Sequence, residues 1–219
     1  MPYVIDRPVK RLLAVASACL PLLVFASPAA ATSWGGQQYA QYQPSAPTSN
    51  GCSIPASSPV FSSFGDQADY SLLPGGSFQD TTGWVLNGAS VVAGGEPWNV
   101  SGVSNPQSLS LPAGSYAVSP TFCVSSLFPT WRYFADANGA SGSQLQVTAL
   151  FADTEGNTGE LPVNSLSSAN YSSWQLTPVL PLGSVVPPGD TVNVRLVFSV
   201  ASSGSTWNLD DLYVDPYSR

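Results

Sequence analysis

The chain has no histidine among its 219 residues. That absence removes Ser-His-Asp and Cys-His catalysis and every imidazole-ligated metal. Positive charge is nearly as scarce, with six Lys and Arg against 13 Asp and Glu. A polyanion-binding surface needs clustered cations, so nucleic acid is excluded as a partner. Charged residues of both signs make up only 9%, where an average globular protein has about 25%. Helical patterning is missing too: no ten-residue stretch repeats its apolar residues at a 3.6-residue period. What is present is apolar and aromatic matter, 43% and 11% of the chain, enough to build a core.

Half of the positive charge, Arg7, Lys10 and Arg11, lies in the first 11 residues. A 14-residue apolar run, Leu12 to Phe25, follows, and then Ala26-Ser27-Pro28-Ala29-Ala30-Ala31. A charged start, a short apolar run and a small-residue exit read as a secretory signal peptide over 1–31. The run is short for a membrane span, which leaves an uncleaved anchor as the weaker alternative. Ala16-Ser17-Ala18-Cys19 loosely resembles a lipobox, but Cys19 lies inside the apolar run. Cleavage near Ala31 leaves 188 residues with three arginines, no lysine and twelve acids, a formal charge of −9. The expectation is a secreted or cell-surface protein with no membrane partner after cleavage. Its remaining cysteines, Cys52 and Cys123, read as one disulfide in an oxidising setting, the alternative being two free thiols. The bridge would close a loop of 70 intervening residues, worth about 4 kcal/mol on the loop-entropy model.

Residues 32–65 are rich in Ser, Gln, Pro, Ala and Gly without periodicity, and read as a flexible leader that cannot bury enough surface to order itself. From Asp66 to Arg219 the texture is one of short strands between turn residues. Thr191–Val200 alternates strictly, Val192, Val194, Leu196, Phe198 and Val200 on one side, with Val197 alone out of phase. Gln144–Phe151 does the same with Leu145, Val147, Ala149 and Phe151 inward. Weaker runs lie at Leu72–Phe78, Trp84–Val92, Ser108–Leu111, Ser115–Val124, Trp131–Phe134 and Ser173–Leu180. The pattern predicts an all-β antiparallel β-sandwich of the jelly-roll or immunoglobulin-like type over 66–219. In the last strand the apolar phase flips across Asp210-Asp211, from Trp207 and Leu209 to Leu212 and Val214. A strand that keeps its core face through such a flip needs a β-bulge there.

Two segments carry a resemblance. Leu72-Leu73-Pro74-Gly75-Gly76-Ser77-Phe78-Gln79-Asp80 with Gly83-Trp84, and Trp207-Asn208-Leu209-Asp210-Asp211-Leu212-Tyr213-Val214, resemble the opening and closing segments of jelly-roll carbohydrate-binding modules. The domain as a whole is similar to a group of uncharacterised secreted bacterial β-sandwich proteins. Those share Pro129-Thr130-x-Arg132-x-Phe134 and a terminal Asp210-Asp211-x-Tyr213-Val214-Asp215-Pro216. The first resemblance implies a structural calcium between the opening loop and the closing aspartates, with Asp80, Asp210 and Asp211 as ligands and Gln79 where a glutamate would stand. The competing assignment has Asp210 or Asp211 bonding backbone amides at the bulge, or pairing with Arg132 or Arg195.

Catalysis without histidine would need paired carboxylates in a cleft. Of the three glutamates after residue 31, Glu96 precedes Pro97 in a turn-like stretch and Glu155 sits in a hairpin tip. We therefore expect no enzyme, a carboxylate glycosidase being the remote alternative. The main expectation is a structural or protein-interaction domain at the cell surface. The alternative is a module that stacks a neutral cell-wall or extracellular glycan on exposed aromatics. Trp98, in a Gly-Gly-Glu-Pro-Trp-Asn loop, is the first candidate ring, while Trp84, Trp174 and Trp207 are assigned to the core. Trp131 and Tyr133 share one side of a strand, so either they or Arg132 and Phe134 face the core. An exposed platform of Trp98, Trp131 and Tyr133 is what separates the two readings.

Overall fold

The computed structural model describes residues 38–48, 52, 55–103, 106–125, 129–182 and 190–215. The secretory address at 1–31, Cys19 included, lies outside the described residues. In chain order the strands are β1 (Ser71–Leu72), β2 (Val85–Asn87), β3 (Ser90–Ala93), β4 (Gln107–Leu111), β5 (Tyr116–Val118), β6 (Phe122–Ser125) and β7 (Thr130–Asp136). They continue with β8 (Gln144–Asp153), β9 (Thr158–Ser167), β10 (Gln175–Leu176), β11 (Leu180–Pro181), β12 (Thr191–Val200) and β13 (Trp207–Asp215). Among the described residues no helix is long and apolar enough to cross a membrane.

Two antiparallel sheets form the sandwich. One has the order β10-β7-β13-β4-β3, with β1 also pairing β13 and β11 also pairing β7; the other runs β2-β5-β12-β8-β9, with β6 also pairing β12. The chain passes repeatedly from one sheet to the other, the jelly-roll habit that the alternating strands predict. The long strand β12 forms over the residues whose alternation announced it, and Val192, Val194, Leu196, Phe198 and Val200 are all buried against the opposite sheet. Its partner β8 contributes Leu145, Val147 and Ala149 to the same core.

The bulge is where the phase flip placed it. Asp210 pairs with Phe134 and Tyr213 with Arg132, so Asp211 and Leu212 together oppose the single residue Tyr133. Asp211 takes the left-handed conformation, φ 49°, which is rare for a residue with a side chain and marks local strain. The extra residue returns Leu212 and Val214 to the core after Trp207 and Leu209. It also keeps Trp131 and Tyr133 inward and turns Arg132 and Phe134 outward.

Weaker strand expectations are corrected in detail. Leu72–Phe78 is mostly turn, because Pro74, Gly75 and Gly76 break the ladder two residues in. Ser115–Val124 divides into β5 and β6 at Ser119-Pro120, where proline lacks a ladder donor. Ser173–Leu180 yields only the fragments β10 and β11. The ten-residue β9 was not expected, since Pro162 interrupts a polar run; at a sheet edge that proline is tolerated.

The flexible leader assigned to 32–65 is corrected wherever it is described. Phe61 is fully buried on the outer face of the seven-stranded sheet, among Tyr70, Phe134 and Tyr213. Tyr39 is buried on the outer face of the six-stranded sheet, with Val118, Leu150 and Val197. A few aromatic side chains, each worth about 1.5–3 kcal/mol when buried, order a segment whose average composition argues for none. Cys52 is joined to Cys123 on β6, with Cα atoms 5.4 Å apart.

Candidate functional site

Trp98 sits in the loop between β3 and β4. Its ring stacks on Phe134, with centroids 5.2 Å apart and planes 24° from parallel. Phe64 meets it edge-on at 5.4 Å. The indole is nevertheless 47% exposed, so one face is supported by protein while much of the ring is open to solvent.

Three buried carboxyl groups fix that loop. Glu96 accepts hydrogen bonds from the backbone N–H of Trp98 and of Val100 through its two carboxyl oxygens. Asp210 Oδ2 accepts from the N–H of Glu96 at 3.0 Å and Oδ1 from the N–H of Asp211 at 2.8 Å. Asp211 Oδ2 accepts from the N–H of Ser101 at 2.9 Å. Gly95 is required here because a Cβ would lie 2.1 Å from Asp210 Oδ2. The paired aspartates at the bulge thus bond backbone amides, the second of the two roles the sequence left open for them.

Crowding these acids away from water moves their titration. Burial pushes Asp210 up to about 8, helped by the charge of Asp211 and opposed by the N–H groups of Glu96 and Asp211. Burial likewise raises Asp211 to about 6, with the Ser101 bond opposing and the Glu96 carboxyl adding to it. Tyr213 is raised by burial and then by the same three acids. Asp211 Oδ1 is buried with no hydrogen-bond donor directed at it. Such a cluster is a scaffold: its lone pairs are directed at amides of its own loop rather than into a cleft where a substrate could be placed.

The other residues singled out from sequence fall in several places. Trp131 and Tyr133, 1% and 0% exposed, stack on each other in the core at 5.0 Å and 13°, both edge-on to Phe198. The three-ring platform is therefore corrected to Trp98 alone, because the register set by the bulge sends the other two rings inward. Asp80 is exposed, and its carboxylate accepts from the Thr82 backbone at 2.9 Å and hydroxyl at 2.7 Å. Those two bonds hold it below the usual carboxylate range. Gln79 donates to the Ser77 carbonyl at 3.3 Å. Asp80 and Gln79 thus bond within their own turn, and among the described residues no group of three or more acidic or Cys side chains is arranged to hold a metal ion.

Sequence reasoning missed Glu96 as the organiser of the loop and Phe64 and Phe134 as the support of its ring. The signal was faint: a glutamate between Gly-Gly and Pro-Trp, where a solvated turn is the ordinary reading. Two grooves also appear away from Trp98. One of about 410 Å³ is lined by Pro47, Leu72, Leu73, Phe122 and the Cys52–Cys123 pair. One of about 310 Å³ is lined by Gln38, Tyr39, Ser115, Tyr116, Gln146 and Ser199.

No protein-family model matches the sequence, and no curated protein matches it significantly. Solved structures do show a similar sandwich. The CBM22-1–GH10 modules of Clostridium thermocellum endo-1,4-β-D-xylanase 10B, complexed with xylohexaose, match at 14% identity and TM-score 0.45, over 64% of this chain and 27% of that one. The CBM22-1 xylan-binding domain from Paenibacillus barcinonensis matches at 16% identity and TM-score 0.43, over 65% of this chain and 93% of that one. TmCBM61 in complex with β-1,4-galactotriose matches at 10% identity and TM-score 0.42, over 67% of this chain and 98% of that one. The likeness is one of fold, a jelly-roll β-sandwich.

Proposed function

We propose that the chain is a secreted, non-catalytic β-sandwich module that binds a neutral extracellular glycan by stacking a sugar ring on Trp98. The observation that carries this reading is the half-exposed indole, backed by Phe134 and fixed through its loop to Glu96, Asp210 and Asp211. A flat ring held rigidly with an open face offers the apolar side of a pyranose a preorganised partner. Asn99, next to it in the chain, and Ser62 and Ser63, which precede its neighbour Phe64, are exposed neutral hydrogen-bonding groups. The chain's net charge of −7 disfavours acidic polymers. The same ring favours the glycan reading over a purely structural one, which gives no reason to build three buried acids around an exposed tryptophan. With one stacking ring the affinity expected is weak, about 4 kcal/mol and thus a Kd near 1 mM.

Affinity electrophoresis of the full chain through gels carrying neutral polysaccharides, xylan and β-1,4-galactan among them, tests this. The expected result is retardation by at least one polymer that falls at least tenfold in Trp98→Ala while the melting temperature is kept. Absence of retardation on every polymer, or retardation indifferent to Trp98→Ala, overturns the proposal.

A further inference from the structure

The outer face of the six-stranded sheet is apolar at its centre. Val118 of β5, Leu150 of β8 and Val197 of β12 point away from the core on three neighbouring strands, yet all are fully buried. Val197 is the one residue that broke the alternation of its strand, and the reason now has a location. What covers it is residues 38–48, an arm that follows β12: Ser45 lies against Asn193, Tyr42 against Arg195, and Tyr39 in the cluster of Val197.

The contacts have a particular character. The sheet's side chains address the arm's backbone: Glu160 Oε1 accepts from the Tyr39 N–H at 2.8 Å, Asn193 Nδ2 donates to the Ser45 carbonyl at 2.9 Å, and Arg195 Nη1 donates to the Tyr42 carbonyl at 3.4 Å. In return the Gln43 amide donates to the Gly159 carbonyl at 3.2 Å. The arm also presents two rings, Tyr39 and Tyr42, whose centroids lie 5.5 Å and 6.1 Å from that of Tyr116. Tyr42 and Tyr116 also share a hydroxyl contact of 3.1 Å. The 3-10 turn over Ala40–Tyr42 places Tyr39 and Tyr42, three residues apart, on one side, and backbone-directed bonds combined with sites for spaced side chains are how surfaces recognise peptide segments.

We propose that this face is a peptide-docking surface for a Tyr-x-x-Tyr segment folded as one 3-10 turn, and that residues 38–48 of the same chain are its occupant. Cys52, four residues beyond the arm, is bonded to Cys123, and Cys123 pairs with Asn193 where the arm comes down. The disulfide thereby tethers the occupant beside its site, at an effective concentration in the millimolar range for a short linker. A groove adjoins Tyr39, lined by Gln146, Ser115 and Ser199. The inference does not depend on the glycan reading, which concerns the other sheet.

The test uses the full chain carrying Tyr39→Ser and Tyr42→Ser, to weaken the resident arm, and a fluorescent synthetic peptide of residues 38–48 read by anisotropy. The folded variant should bind the peptide at least tenfold more tightly than the unsubstituted chain, and a peptide with both tyrosines replaced by serine should bind neither. Equal binding to both chains, or no binding to a variant shown to be folded by circular dichroism, overturns the proposal. Should the variant not fold, amide exchange on the unsubstituted chain decides. The Tyr39 amide should exchange at least 100-fold faster than those at the centre of β12, and faster still in Glu160→Gln. Exchange of Tyr39 only together with β12 overturns it.

Discussion

The two outer faces of the sandwich are both covered by the segment that precedes the first strand, but by different physics. Over the seven-stranded sheet the cover is a knot of rings: Phe61 packs edge-on against Tyr70 at 5.0 Å and Tyr213 at 5.4 Å. The Arg132 guanidinium lies 5.2 Å from the Phe61 ring and pairs with Asp66 at 3.1 Å. Over the six-stranded sheet the cover is Tyr39 and Tyr42, which pack with Tyr116 over three aliphatic side chains, together with a set of hydrogen bonds to the arm's backbone. Apolar burial scales with the area removed from water, whereas each exchanged hydrogen bond contributes only about 0.5–1.5 kcal/mol net. The first face is therefore a permanent part of the fold that holds Trp98 steady. The second is held by interactions that a competing peptide can replace.

Phe61→Ala gives the largest effect and the sharpest contrast. Removing a fully buried ring should cost about 3–5 kcal/mol in chemical denaturation, whereas Tyr39→Ala on the other face should cost no more than about 2 kcal/mol. Equal losses would erase the distinction between the faces. Next comes pH. Asp210 titrates near 8 and Asp211 near 6 in the folded chain, both above their ordinary value of 3.8. A carboxyl raised in this way contributes its stability in full at low pH and loses it as pH rises through the folded value. The loop that carries Trp98 should thus weaken from about pH 4 to about pH 8, by on the order of 2–4 kcal/mol. Tryptophan fluorescence of the full chain reads the change, and Asp210→Asn should flatten its upper half. The arm on the other face has no such buried cluster, so protection of the Tyr39 amide, corrected for intrinsic exchange, should not follow that slope. The smallest effect belongs to Tyr42→Phe, which removes only the hydroxyl contact with Tyr116 and should cost about 0.5–1 kcal/mol, measurable as a small loss of protection at Tyr39.

Much of the frame was legible in the residues. The alternation of Val192 through Val200 fixes one central strand and Leu145 through Ala149 its neighbour, because a buried face imposes a period of two. The change of phase at Asp210-Asp211 locates the bulge for the same reason. The side chains of Trp131–Phe134 were not assignable, since aromatic residues occupy both parities of that strand and only the bulge register sorts them. Strand β9 escaped because Pro162 and its polar neighbours read as loop until an edge position is known. The arm and the Phe61 segment escaped because composition averages over a window, while two or three rings suffice to dock it. Of the candidate site, Trp98 was identified from its loop, but Glu96 was not, because nothing local says that a turn glutamate will find two aspartates more than a hundred residues away.

Pro162 has a further consequence. It stands midway along β9, a ten-residue strand at the border of its sheet, where an unbroken row of free donors and acceptors would invite another chain to add itself as the next strand. With no N–H to offer at its centre, and with a register shift opposite at Val147/Thr148, that border cannot template a continuous ladder. One missing hydrogen thus adds to the net negative charge of −7 in keeping copies of the chain from joining edge to edge.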